Sequence, residues 1–252
     1  MTLRGGELLL LLLFALPASA AGRVVSLNLC TDQYLLALAP DRAAAVTFLA
    51  RDPTLSAMAG PAMAVPTVRA DAESVIALRP DLVLAAPWGA RATLEALRRR
   101  GLRVEVLEPP ADFPAIRAAT RRMAALLGAE AQGTTLLADM DAALAALPPP
   151  SHRAAIALEP RGYTAGPGTL RDAVLRAAGL ENAARGEQLS LEALASRPPV
   201  LLVVAPMPDG PSRATEWLQH PAVAAHPRQA VPSALTVCGG PWTARAVQVL
   251  AQ

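Results

Sequence analysis

The chain contains no lysine, since all 23 basic positions among its 252 residues are arginine. Charge is scarce altogether: 17% of residues carry one, the formal net charge is +2, and the longest basic run is Arg98, Arg99 and Arg100. Nucleic-acid binding demands a concentrated basic surface, so DNA and RNA are poor partners for this chain. Histidine is rarer still. His152, His220 and His226 lack the spacing of metal ligands and argue against a histidine-built zinc or manganese site. Aromatic residues make up only 3% of the chain, and beyond the first twenty residues no apolar run reaches membrane-spanning length without a charge, proline or glycine.

What is abundant is aliphatic: 53% of residues are hydrophobic, which excludes a disordered chain and supplies a sizeable core without cross-links. Residues 1–20 read as a signal peptide. Arg4 gives the basic start, Leu8 to Leu16 the short apolar run, and Ala18, Ser19 and Ala20 the small-residue cleavage site. Cleavage is expected after Ala20, delivering the chain to an oxidising compartment such as the periplasm.

Beyond that point, strand-like runs alternate with helical periods. Arg23 to Leu29, Leu82 to Ala86, Arg103 to Leu107 and Arg153 to Leu158 read as strands, while Thr31 to Ala39, Ala72 to Leu78, Ala90 to Arg100 and Leu170 to Ala178 read as helices. Strands alternating with helices imply an α/β fold with parallel sheets covered on both faces. Asp112 to Gly128 is helical in period, and Ala129 to Leu147 follows as a second helical run ended by three prolines, long enough for a strut between two lobes. The expected divisions are an N-terminal α/β lobe over 21–127, an interlobe helix within 128–150, and a C-terminal α/β lobe over 151–252. An internal repeat supports two lobes, because ESVIALRPDLVLAAP from Glu73 to Pro87 aligns without a gap on EALASRPPVLLVVAP from Glu192 to Pro206.

The series VVSLNLCTDQYLLALA, DAESVIALRPDLVLAAP, GYTAGPGTLRDAVLRAAGLEN, LSLEALASRPPVLLVV and CGGPWTARAVQVLA resembles the periplasmic substrate-binding proteins of vitamin B12 and ferric siderophore ABC importers. The resemblance runs from about Arg23 to the C-terminus. It implies a class III periplasmic binding protein: two Rossmann-like lobes joined by a single long rigid helix, with a metal-chelate ligand between them and no chemistry or cofactor of its own. It also implies a monomer that docks on an inner-membrane ABC permease through one carboxylate per lobe, here Glu73 and Glu192. Without the resemblance, each is an ordinary first-turn carboxylate favoured by the helix dipole.

The ligand cleft is expected where loops leave the carboxyl ends of the strands. Trp88, Tyr163 and Trp242 fall in such loops and can stack a flat ligand, with Cys30, Thr31, Thr164 and Cys238 beside them. Trp217 and Phe113 lie on helical stretches and read as core. Arg51, Arg69 and Arg91 sit near cleft loops and suit an anionic ligand. A corrinoid fits the aromatics and a ferric siderophore the arginines; heme is the third choice, with Tyr163 as its iron ligand. Cys30 and Cys238 form either a disulfide, a thiol site for a soft metal, or a buried unpaired couple. An exported thiol-dependent enzyme using Cys30 is the alternative from another class, although none of the three histidines falls in a cleft loop to serve as its base. The glycine-rich GYTAGPG lacks the lysine of a phosphate-binding P-loop and reads as a ligand-lining turn.

Overall fold

The computed structural model describes residues 22–206 and 216–252. The expected signal peptide, residues 1–20 with cleavage after Ala20, lies outside the described residues. Two four-stranded parallel sheets form the framework. In the first, β1 (Val24–Ser26), β2 (Ala43–Ala45), β3 (Leu82–Ala85) and β4 (Val104–Val106) lie in the order β2-β1-β3-β4. In the second, β5 (Ala154–Ala157), β6 (Glu181–Asn182), β7 (Leu201–Val204) and β8 (Arg228–Ala230) repeat that order as β6-β5-β7-β8.

The repeat in the sequence is thus a repeat in space. Glu73 to Pro87 spans β3 and the helix before it, α3 (Ala72–Ala77); Glu192 to Pro206 spans β7 and its helix, α8 (Leu191–Ala195). Both strands are central and fully buried, which explains their unbroken apolar sequences. Alternation assigns their faces. Leu82 and Leu84 point into one core of the first lobe and Val83 and Ala85 into the core on the opposite face, as Leu201 and Val203 do against Leu202 and Val204 in the second lobe.

The remaining helices of the first lobe are α1 (Leu29–Leu38), the single turn α2 (Ala59–Ala62) and α4 (Arg91–Arg99). Between the lobes run α5 (Phe113–Leu127) and α6 (Glu130–Ala145). Asp112 starts α5 by accepting the Ala115 N–H at 2.7 Å, and Gly128 ends it in the left-handed region at φ 57°. Gly128 and Ala129 then reverse the chain, and α6 returns beside α5. The pairing is antiparallel: Arg117 bridges to Asp141 at one end, and Gly133 presses on Ala124 at the other.

A lone strut over 128–150 was expected; the connection is instead a helical hairpin. Phe113 and Ile116 of α5 belong to the core of the second lobe, whereas Met123 and Leu127 belong to that of the first. The helix α6 makes the crossing in reverse, from Leu136 beside the first core to Leu137 and Met140 in the second. At 1.5 Å per residue it spans about 24 Å.

The second lobe is completed by α7 (Leu170–Ala177), α9 (Pro221–Ala224) and α10 (Ala244–Leu250). Its expected boundary also shifts. Cys238 and Trp242, assigned by sequence to the second lobe, pack in the core of the first, while Ala244, Ala246, Val247 and Leu250 of α10 lie back in the second. Residues 238–242 therefore form a strap that enters the first lobe and leaves it again.

Candidate functional site

The carboxyl ends of both sheets meet at a covalent join. Asn28 caps α1 by accepting the Cys30 N–H at 2.9 Å, which sets Cys30 one turn beyond the end of β1. Cys238, beyond the end of β8, is bonded to it with an S–S distance of 2.09 Å and a Cα–Cα distance of 5.2 Å. The strap fits closely beside this bond. A Cβ on Gly239 would lie 2.5 Å from the Pro110 carbonyl oxygen, so only glycine passes there. Trp242 packs edge-on to Tyr34 with ring centroids 5.4 Å apart and donates its indole N–H to the Cys238 carbonyl at 3.0 Å.

That packing corrects part of the expected ligand surface. Trp242 is 5% exposed and Cys238 and Thr31 not at all, so these three build the floor rather than line it. Thr31 spends its hydroxyl on the Asn28 carbonyl and the Ser26 hydroxyl, at 2.9 and 2.8 Å. The opposite holds for Trp88 and Tyr163, which are 60% and 51% exposed, one on each lobe, in the loops after β3 and β5. Phe113 is buried and Trp217 half-buried, in keeping with core positions. Sequence reasoning missed Phe48 in the loop after β2 and Val237 beside Cys238, both exposed. A lone aromatic after a run of alanines carries no periodic signal, and the strand that positions it is itself unmarked in the sequence.

The Tyr163 loop is fixed by main chain. Glu159 N–H donates to the Tyr163 carbonyl at 2.7 Å, Thr164 N–H to Glu187 at 2.9 Å and Leu189 N–H to Gly162 at 2.8 Å. Thr164 turns its hydroxyl to the Gly186 carbonyl, which makes it a brace for the loop. Beneath it Glu159 pairs with Arg171, whose guanidinium pKa is lowered by burial. In the first lobe the loop after β2 is held by a buried carboxylate. Asp32 accepts the Thr47 N–H at 3.2 Å and its hydroxyl at 2.5 Å, and burial pushes the carboxyl up to about 6 against the lowering effect of hydrogen bonds from Ser26 and Thr47.

The family model for periplasmic binding proteins matches residues 24–228, most of the chain and both lobes. The chain belongs to the periplasmic binding protein family. Within it, the resemblance to the binding proteins of vitamin B12 and ferric siderophore importers is borne out, and the parallel α/β architecture is that of class III. No curated protein matches this member. Solved structures do. A periplasmic heme binding protein from Pseudomonas aeruginosa is 24% identical with a TM-score of 0.69, covering 92% of this chain and 91% of that one. The apo form of the periplasmic heme-binding protein RhuT from Roseiflexus sp. RS-1 is 24% identical with a TM-score of 0.70, covering 92% and 97%. The periplasmic heme binding protein HutB of Vibrio cholerae is 22% identical with a TM-score of 0.69, covering 90% and 96%. At these identities the likeness is one of fold.

Two carboxylates occupy corresponding positions in the two lobes. Glu73 and Glu192 each occupy the first turn of the short helix leading into a central strand. Both helices are capped alike, by Asp71 accepting the Ser74 N–H at 2.8 Å and Ser190 accepting the Ala193 N–H at 3.1 Å. The Glu192 carboxyl is held below the usual range by its own backbone N–H, then by the Ser190 hydroxyl and by His220 nearby.

The arginines divide. Arg51 donates to the Ala62 and Val65 carbonyls and is committed to the fold, whereas Arg69 and Arg91 remain exposed, the latter paired only with Glu95 at its surface. The alternative of a thiol enzyme falls with the disulfide, because a sulfur bonded to Cys238 cannot act as a thiolate. The histidines have other tasks: His226 is buried against Val200 and Leu194, and His220 caps α9. Among the described residues no cluster of three or more His, Cys, Asp or Glu could hold a bare metal ion.

Proposed function

We propose that the protein is exported, loses its signal peptide after Ala20, and captures an iron chelate with a flat face in the periplasm for an ABC permease. Heme leads the ligand classes. The observation that carries this reading is the outward placement of Trp88 and Tyr163, one from each lobe, at the carboxyl ends of the sheets. Rings so placed can cover opposite faces of a planar chelate, with the Tyr163 phenol reaching the iron. The heme-binding descriptions of the three relatives lend support. Arg69 and Arg91 are available for carboxylates on the ligand.

Delivery follows through Glu73 and Glu192, one per lobe, facing basic residues on the two halves of the permease, with the protein acting as a monomer. Matching charge across such an interface speeds and orients docking more than it tightens it.

Titrating mature protein with hemin and following the Soret band tests the ligand. Wild type is expected to give a saturable shift, and Tyr163→Phe a changed spectrum with weaker binding. Cobinamide in the same titration tests a corrinoid instead; saturation by cobinamide with no response to hemin would replace heme by that ligand.

A further inference from the structure

Phe48 is the most exposed large apolar side chain among the described residues, at 72%. Leaving a phenyl ring in water forgoes the stabilisation that burial brings, and a single exposed ring needs no explanation in itself. What distinguishes Phe48 is how firmly the chain on either side is pinned. The residue before it, Thr47, gives both its N–H and its hydroxyl to Asp32, whose side chain has no exposed surface. Three residues later Arg51 ends the same 3-10 turn and fastens it to the Val65 carbonyl at 2.7 Å and the Ala62 carbonyl at 3.3 Å. A buried carboxylate is a costly means of holding a loop that carried nothing.

The position completes the argument. The strand β2 runs parallel to β1, so the turn leaves the same edge of the sheet as Asn28 and Cys30 at the floor. Asp32 lies on α1 two residues beyond Cys30, so the element that carries the floor disulfide also holds the turn bearing Phe48.

We propose that Phe48 is a specificity-determining wall of the ligand cleft, with Asp32, through Thr47, as the residue that positions it. This rests on the ligand-capture reading above and narrows it. A phenyl ring without a polar handle selects a ligand that offers an apolar face, such as a porphyrin, over a ferric tris-hydroxamate whose surface is polar.

The test titrates hemin into wild type, Phe48→Ala, Phe48→Tyr, Thr47→Val and Thr47→Ser, reading the Soret band for binding and thermal unfolding for integrity. Phe48→Ala and Thr47→Val are expected to raise the hemin Kd by about tenfold or more, while Phe48→Tyr and Thr47→Ser, which keep the ring and the hydroxyl, stay within about twofold of wild type. Wild-type affinity in Phe48→Ala would overturn the wall while leaving heme capture intact. Equal loss in Thr47→Ser and Thr47→Val would overturn the positioning role. If Thr47→Val does not fold, Asp32→Asn takes its place, with the same loss of affinity expected and an unchanged Kd overturning the positioning. Absence of any response to hemin, cobinamide and a ferric tris-hydroxamate by wild type would overturn both the wall and the reading on which it rests.

Discussion

In the N-terminal lobe the loops at the cleft are held by side chains: Asn28 on the Cys30 N–H, Ser26 on Thr31, Asp32 on Thr47, and the disulfide to Cys238. In the C-terminal lobe the corresponding loop after β5 is held largely by main chain, with Glu159, Thr164 and Leu189 donating across to its neighbours and the Thr164 hydroxyl and Asn182 amide as side-chain braces. Two sheets of identical strand order thus reach the same result by different chemistry. Side-chain fastening leaves a lobe sensitive to substitution at a few polar positions and to pH. Main-chain fastening is indifferent to most side chains and sensitive to backbone conformation, above all at Arg161 and Gly162, with φ of 62° and 78°.

The largest effect that could break this comparison concerns the feature the lobes share. Replacing Glu73 and Glu192 together by arginine is expected to abolish ligand uptake in cells while purified protein binds as before. Each single replacement should reduce uptake by at least about tenfold if the lobes contribute equally, and a deficit confined to one variant would show that only that lobe docks.

Next comes the covalent join. The disulfide closes a sequence separation of 208 residues, and replacing both cysteines by serine is expected to cost on the order of 3–5 kcal/mol in urea unfolding under non-reducing conditions. A loss near zero would mean that Trp242 alone seats the strap.

The Asp32 carboxyl sharpens the contrast through pH. Its folded pKa of about 6 lies above the ordinary value of 3.8, so the folded state holds the proton more tightly than the unfolded state. The stability this contributes is fully present below 3.8 and is lost as pH rises through about 6. Relative to Asp32→Asn, wild type should therefore lose about 3 kcal/mol between pH 3.5 and 7.5, read from paired unfolding curves. A constant difference would mean that Asp32 titrates normally. The smallest effect belongs to the other lobe: Gly162→Ala meets the Leu189 carbonyl and a strained φ, and is expected to cost about 1–3 kcal/mol at any pH.

Much of the architecture was legible because the central strands advertise themselves. LVLA and LLVV are buried on both faces and carry no polar residue, and the repeat around them disclosed the two lobes. Of the four edge strands only β4 was read, within Arg103 to Leu107; β2, β6 and β8 were silent. The strand β2 is AAA and β8 is RQA, sequences without alternation that are strands only because a neighbouring ladder accepts them. Trp88 and Tyr163 stand exposed at strand ends, as their loop positions suggested, whereas Trp242 was misplaced by the same reasoning. Its loop does leave a strand end, but Gly239 and Gly240 let the chain dive beneath the surface, a turn that residue types alone do not orient. Asp32 was not singled out, because nothing local marks its burial under Thr47.

The strap also makes the two ends of the fold depend on each other. Tyr34, on the first helix, finds its ring partner in Trp242, more than two hundred residues later. The first lobe therefore lacks the tryptophan and the cysteine that complete its core until residues 238–242 reach it. The core of one lobe is thus a joint product of both halves of the chain, and neither lobe can be cut out along the sequence without taking part of the other's interior with it.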